Sequence, residues 1–253
     1  TYDLLDRQAP LRVAGPPGLL GLFDALRRVF GKLRYELELV ELHETEPLEH
    51  PDEGFELRPF EVEHRMPALG YALVEPERPG RFDTELAREL GVTDVRDFGR
   101  LQRGEAVAVD AGEVRPDQVL GEARLGRKLV ITGDTAPCEM TRLAAHQAQL
   151  LVHDGTFSDE EAGRAAETGH STLRQAAELA RDAEVALLAL VHISSRYHVG
   201  TVLEEARQAF PTAHAVRDFE LVEIPFPERG APKLFERGAR ERPEDPASAP
   251  AAD

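Results

Sequence analysis

From Gly126 onward the chain alternates apolar runs of strand length with segments of helical periodicity, and that rhythm limits it to a sheet covered by helices. Lys128 to Thr132, Leu150 to His153 and Val185 to His192 read as strands, with Ala213 to Asp218 and Leu221 to Ile224 closing the series. Pro137 to Gln147, Ser158 to Thr168, Ser171 to Ala180 and Val199 to Phe210 read as the helices between them, with Ser171 as an N-cap. The fold class is therefore α/β.

The upstream half is less regular. Leu11 to Ala14 is a short strand, and Gly15-Pro16-Pro17-Gly18 turns into a helix over Pro17 to Phe30, whose Leu19, Leu20, Phe23, Leu26, Val29 and Phe30 share a face. Tyr35 to His43 alternates, with a slip at Val40 that predicts a bulge or a strand end. Phe55 to His64 and Leu69 to Val74 extend this into a meander. Pro76 to Gly104 then breaks the pattern, with a short helix at Thr84 to Leu90, and carries Arg78, Arg81, Arg88, Arg96, Arg100 and Arg103 together with Phe82 and Phe98. It is either a surface excursion with solvated charges or an arm that touches a polyanion, the two phenylalanines being its candidate stacking groups.

With 253 residues the chain can bury a real core. The pattern suggests one domain over residues 1–227 and a disordered tail over residues 228–253, where Pro, Ala, Arg and Glu lack periodicity. A net charge of −17 argues against a whole-surface polyanion binder, so any nucleic-acid contact must be local. The single cysteine, Cys138, rules out an internal disulfide, and no apolar run is long enough to span a bilayer. A reducing cytoplasm and no membrane partner are expected. The chain begins at Thr1 and reads from its first residues as mid-domain, which predicts a segment upstream.

Four apolar strands end in residues able to ligate. His64 closes one, Asp134 in Thr132-Gly133-Asp134-Thr135 another, His153-Asp154 a third and His192 a fourth. Singly, each histidine has an ordinary reading as a satisfied core or edge residue. Together they would gather imidazole and carboxylate at one sheet edge, a donor set suited to zinc. Asp134 has two oxygens and could hold one cation with each. His170, in Gly169-His170-Ser171-Thr172, sits on a loop before a helix. It is either a surface residue beside a cap or a group placed to move protons.

In order and spacing, His64, Thr132-Gly133-Asp134-Thr135, His153-Asp154-Gly155-Thr156-Phe157, Gly169-His170-Ser171-Thr172 through Gln175-Ala176-Ala177, and Leu190-Val191-His192-Ile193-Ser194-Ser195-Arg196-Tyr197 resemble ribonuclease Z. This family comprises tRNA 3′-processing endonucleases of the metallo-β-lactamase superfamily. The resemblance runs to about Pro227 and includes Asp218-Phe219. It implies a metallo-β-lactamase αββα sandwich, two zinc ions per complete site, a tRNA precursor as substrate and a homodimer. It further implies that His64, Asp134 and His192 are metal ligands, with Asp134 bridging. His170 would carry the proton during cleavage and Asp154 would orient it, while Arg196 and Tyr197 support the site. Residues 76–104 would be the arm that grips the tRNA, with Arg81, Arg100 and Arg103 as candidate contacts.

Three departures accompany the resemblance. The superfamily motif His-x-His-x-Asp-His occurs nowhere in the chain, which is read as N-terminally incomplete and expected to bind zinc weakly and cleave poorly. Asp154-Gly155 stands where the family usually has Glu then Ala, which shortens the orienting carboxylate by one methylene. The arm lacks a Gly-Pro pair near its base. Two other readings share these features: a metallo-β-lactamase-fold hydrolase of small phosphodiesters or esters, and a non-catalytic module with an incomplete site.

Overall fold

The computed structural model describes residues 7–31, 33–43, 47–50 and 54–235. Strand β1 (Leu11–Gly15) leads through a Pro-Pro-Gly turn into α1 (Leu19–Phe30), which returns to β2 (Leu37–Glu41). β1 and β2 pair in parallel over their whole length, from Leu11 opposite Leu37 to Gly15 opposite Glu41. No bulge interrupts β2. Helix α1 starts two residues later than the proline signal suggests, because Gly18 is left-handed with φ of 103°, and this N-cap has no side chain of its own. Glu41 substitutes for it, its Oε1 accepting the Gly18 and Leu20 N–H groups at 2.8 and 3.0 Å. This capping role also explains why the alternation slips at the end of β2, since Glu41 is turned toward the helix.

The main sheet begins with β3 (Leu48–His50), β4 (Phe55–Glu61) and β5 (Leu69–Val74). It takes the seven-stranded order β11-β10-β9-β8-β5-β4-β3 once the later strands β8 (Lys128–Ile131), β9 (Leu150–Asp154), β10 (Leu188–Val191) and β11 (Ala213–Ala215) join. β4 and β5 pair antiparallel as expected, but the meander's first strand is β3, which the sequence reading did not anticipate, while β2 lies outside it in a two-stranded sheet with β1.

Between β5 and the next sheet strand, residues 75–127 form a separate compact unit, longer than the arm expected over residues 76–104. It contains α2 (Thr84–Glu89), α3 (Val95–Gln102), the hairpin β6 (Val107–Val109) and β7 (Gly112–Val114), and α4 (Pro116–Val119). Asp83 and Asp94 cap α2 and α3 by accepting the Leu86 and Arg96 N–H groups. Ala87, Val92, Phe98, Leu101, Val107, Val114 and Val119 make its own core. Phe98 is therefore unavailable as a stacking group. It is 9 % exposed and packs against Phe82 with ring centroids 5.3 Å apart. The expectation failed because α3 buries only Phe98 and Leu101 among charged neighbours, too thin an apolar stripe to separate from a polar loop.

The sheet resumes with β8 (Lys128–Ile131), antiparallel to β5, so that Val74 and Lys128 lie opposite each other where the inserted unit leaves and re-enters. α5 (Glu139–Ala145), β9 (Leu150–Asp154), α6 (Ala162–Thr168), α7 (Leu173–Asp182), β10 (Leu188–Val191), α8 (Val199–Ala209) and β11 (Ala213–Ala215) complete the alternation. β8, β9, β10 and β11 pair in parallel in chain order. Such strands, buried on both faces, read as continuous apolar runs. Helix faces with Ala145, Leu173, Ala176, Ala177, Ala180, Val202, Leu203 and Ala206 cover one side of the sheet against Val130, Leu151, Leu188 and Leu190. The opposite side is less covered, Ile131 being 49 % exposed. Tyr71 of β5 donates to the Ala14 carbonyl of β1, so the β1–β2 pair meets the main sheet there.

β12 (Leu221–Glu223) pairs antiparallel with β13 (Lys233–Phe235), which corrects the reading of residues 228–253 as wholly disordered. Leu234 and Phe235 are half-buried apolar residues that the Pro- and Glu-rich composition around them hides, and residues 236–253 lie outside the described residues. Phe98 also makes a direct test of the inserted unit. Phe98→Ala is expected to lower stability by about 3–5 kcal/mol and Phe98→Leu by much less, as read from chemical denaturation.

Candidate metal centre

Parallel pairing aligns the carboxyl ends of neighbouring strands, and β4, which pairs with β5 and so runs parallel to β8, joins them at the same edge. Asp134 follows β8, Asp154 ends β9, His192 follows β10 and His64 lies three residues beyond β4. An isolated bridge between Glu63 and Ala136 ties the last of these loops to the first, with the Ala136 N–H donating to the Glu63 carbonyl at 2.7 Å. Ligand-type atoms of His64, Asp134 and His170 lie within 4.8 Å of one another, and so do those of Asp154, His170 and His192. His192 Nε2 is 3.8 Å from Asp134 Oδ2.

The loop backbones are shaped for this convergence. Gly133 has φ of 66°, a left-handed conformation that turns the chain at the end of β8 and presents Asp134. Gly169, with φ of 72°, leaves room for His64: a Cβ there would lie 3.0 Å from His64 Nδ1. The Gly169 carbonyl sits 2.7 Å from that same Nδ1. A carbonyl only accepts, so Nδ1 carries the proton and Nε2 keeps its lone pair. His192 itself has φ of 61°, uncommon for a residue with a side chain and found most often where function holds the backbone.

Asp154 is fully buried and holds the loops together. Oδ1 accepts the Thr156 N–H at 2.8 Å and lies 2.6 Å from Thr156 Oγ1. Oδ2 accepts the Thr135 N–H at 3.1 Å and His170 Nδ1 at 2.7 Å. The shorter Asp therefore reaches His170. Its side chain 12 % exposed, His170 lies between its neighbours, with ring centroids 5.1 Å from both His64 and His192. His192 Nδ1 is 2.6 Å from Thr156 Oγ1.

Thr135 and Ser171 are further struts that strand-end reasoning did not pick out. Thr135 Oγ1 accepts the Glu63 N–H at 3.2 Å, and the Ser171 hydroxyl donates to the Thr135 carbonyl at 2.7 Å. Ser171 is thus not the cap of α7. Thr172 is, its Oγ1 accepting the Gln175 N–H while the Gln175 side chain accepts the Thr172 N–H. The Thr-x-x-Gln capping box was the available signal. Arg196 and Tyr197 both bond Glu161 Oε2, which ties the loop after β10 to the start of α6.

A nitrogen and oxygen donor set of imidazoles around one carboxylate suits zinc or a related divalent ion. Tetrahedral zinc separates its ligand atoms by about 3.3 Å, close to the spacing between His192 and Asp134. Asp154 is unsuited to ligation because donors already occupy both its oxygens. The two groups share His170, and Asp134 of the first stands 3.8 Å from His192 of the second, consistent with a site for two metals.

Comparison with known proteins agrees. Residues 116–193 match the beta-lactamase superfamily domain. The chain superposes on the metallo-beta-lactamase fold protein YhfI from Bacillus subtilis with a TM-score of 0.52 at 13 % identity, covering 81 % of this chain and 61 % of that one. Human tRNase Z, short form, gives a TM-score of 0.52 at 22 % identity, with 85 % and 67 % covered. Fold and site together define a metallo-β-lactamase-fold, metal-dependent hydrolase. Ribonuclease Z of Haloferax volcanii is 46 % identical over 233 residues, which is 89 % of this chain and 73 % of the relative. That of Myxococcus xanthus is 43 % identical over 232 residues, 89 % and 75 % of the two chains. The chain belongs to the ribonuclease Z family.

His153 adds a pH dependence. It is completely buried, its Nδ1 bonded to the Asp154 carbonyl at 2.8 Å, and its Nε2 has no partner among the described residues. Burial pushes its pKa below the ordinary value of 6.5. The unfolded chain takes up this proton below about pH 6.5 whereas the folded chain does not, so stability is full above that pH and falls as pH drops through it. The loss is at most about 1.4 kcal/mol per pH unit. His153→Gln should flatten the stability profile between pH 7.5 and 5 by up to that slope in urea denaturation.

Proposed function

We propose that this chain acts as a zinc-dependent endoribonuclease that removes 3′ trailers from tRNA precursors, in the cytoplasm and as a homodimer. The observation that carries the reading is the Asp134 carboxylate flanked by imidazoles, with a further imidazole, His170, held on Asp154. In this reading His64, Asp134 and His192 would hold the zinc ions. The chemistry zinc supplies when bound is neutralisation of the phosphodiester charge and acidification of the attacking water. His170 then gives the proton that the departing 3′ oxygen needs, and Asp154 keeps its Nδ1–H in place so that Nε2 faces the substrate. Arg196, fixed by Glu161 and packed over Phe157 at 5.8 Å, supports the wall beside His170.

The inserted unit supports the RNA assignment. A cavity of about 660 Å³ in it is lined by Arg81, Arg103 and Arg124 with Phe82 and Gly99, a cationic concavity in an otherwise acidic protein. Arg100 is paired with Asp97 and Glu105, and Arg103 with Glu105, while the Arg81 guanidinium has no partner among the described residues. Of the three candidate contacts, Arg81 is the most available to phosphate.

Single-turnover cleavage of a tRNA precursor should fall about 10²–10⁴-fold in His170→Ala with RNA affinity kept, as expected for loss of a general acid. Since Val74 and Lys128 are paired neighbours, an Asn-Gly turn can replace residues 75–127 without opening the sheet. That deletion should abolish precursor tRNA binding and spare hydrolysis of bis(p-nitrophenyl) phosphate. Retained tRNA cleavage would overturn the assignment of the unit as the RNA contact. Arg81→Ala should weaken tRNA binding and lower the salt dependence by about one counterion. The sequence holds no His-x-His-x-Asp-His, so this chain is expected to bind zinc weakly and cleave slowly. Tight uptake of two zinc ions in a titration, with rapid cleavage, would contradict this.

A further inference from the structure

We propose that Thr156 is a positioning residue that extends the hold of Asp154 to His192, so that one buried carboxylate fixes the ring proton of two histidines. The inference deepens the metal-centre reading given above and rests on it for its consequence, though not for its geometry.

Asp154 receives the N–H groups of Thr135 and Thr156, which can only donate, together with His170 Nδ1 and the Thr156 hydroxyl. Two carboxylate oxygens offer about four acceptor positions, and all are used by these groups. The Thr156 hydroxyl, 2.6 Å from Oδ1, must therefore spend its single proton on Asp154. Its oxygen is left with lone pairs alone, and His192 Nδ1 stands 2.6 Å away. That contact is a hydrogen bond only if Nδ1 carries the proton. The reverse order would aim the hydroxyl proton at His192 and leave two oxygens 2.6 Å apart with no proton between them. His192 is thus an Nδ1–H tautomer with its Nε2 lone pair on the side of Asp134.

Thr156 is built for this task. It is 8 % exposed, and its own N–H and hydroxyl converge on the same carboxylate oxygen, which fixes its χ1. β-Branching limits that rotamer further. Its carbonyl accepts the Ser194 N–H at 3.1 Å, so backbone and side chain grip the His192 loop from either end. The His192 side chain is 49 % exposed and lacks the packing that holds His170. Stacking on the His170 ring at 5.1 Å holds its plane but leaves the ring free to flip, so which nitrogen faces Asp134 is set by the bond to Thr156.

The test uses the intact chain. Long-range ¹⁵N–¹H NMR of the histidine side chains, without metal, should show His192 as the Nδ1–H tautomer in the wild type. It should remain so in Thr156→Ser, which keeps the hydroxyl. In Thr156→Val, which keeps the shape and removes the hydroxyl, His192 should move toward the Nε2–H form that free imidazoles favour, while His170 keeps its proton on Nδ1. Zinc affinity, measured by competition with a chromophoric chelator, should fall about 10–100-fold in the Val variant and stay within a few-fold in the Ser variant. An Nε2–H tautomer in the wild type, or an unchanged His192 in a folded Val variant, would overturn the proposal, and the wild-type spectrum decides it even if the Val variant fails to fold. Failure of the wild type to bind zinc would instead count against the metal-centre reading, since the tautomers are read without metal.

Discussion

The buried carboxylate of Asp154 is the interaction on which the site depends. A charge removed from water is costly unless donors replace the lost hydration. Here the donors come from three separate turns of the chain: Thr135 after β8, Thr156 after β9, and His170 before α7. The carboxylate cannot be satisfied unless these loops adopt their observed positions together. Its solvation requirement thereby becomes a geometric one, which is the preorganisation a catalytic centre needs. Replacing it by an apolar residue would leave two backbone N–H groups and an imidazole without their acceptor, so the damage would spread through three loops.

The sheet supplies coarse placement and the loops supply the fine one. Parallel order over β8, β9 and β10 delivers Asp134, Asp154 and His192 side by side, and β4, two strands beyond β8, delivers His64. Strand ends alone leave side chains several ångströms from agreement. The left-handed turns at Gly133, Gly169 and His192 remove that slack, and Thr135 and Ser171 lock the first two loops to one another. The 75–127 unit enters where Val74 faces Lys128, so a large insertion leaves the sheet register unbroken.

Much of this was legible in the sequence because it followed from periodicity. Apolar runs ending in His or Asp marked the strands and the edge at which they end, and five of the site residues, His64, Asp134, Asp154, His170 and His192, do converge. What stayed hidden depends on contacts distant in sequence. Glu41 caps a helix that starts 22 residues before it, Phe98 fills a core assembled from short elements, and β13 is a strand only because Leu221–Glu223 lies beside it. Ser171 and Thr172 illustrate the finer limit. Either could cap α7 by composition, and only the Gln175 side chain, reaching back to the Thr172 N–H, separates them.

The three imidazoles share one polarity but not one kind of support. Each has Nδ1 turned to an oxygen: a carbonyl for His64, a carboxylate for His170 and a hydroxyl for His192. Each Nε2 is thereby left facing away from its support. A neutral carbonyl or hydroxyl partner orients an imidazole and leaves it a neutral donor to a cation, as ligation requires. A direct carboxylate partner does more, since it stabilises the imidazolium that exists while a proton is carried. In the proposed function, the division of labour between ligand and proton carrier would follow from what stands behind each ring. Interposing Thr156 between Asp154 and His192 lets one carboxylate serve both roles without making the two histidines alike.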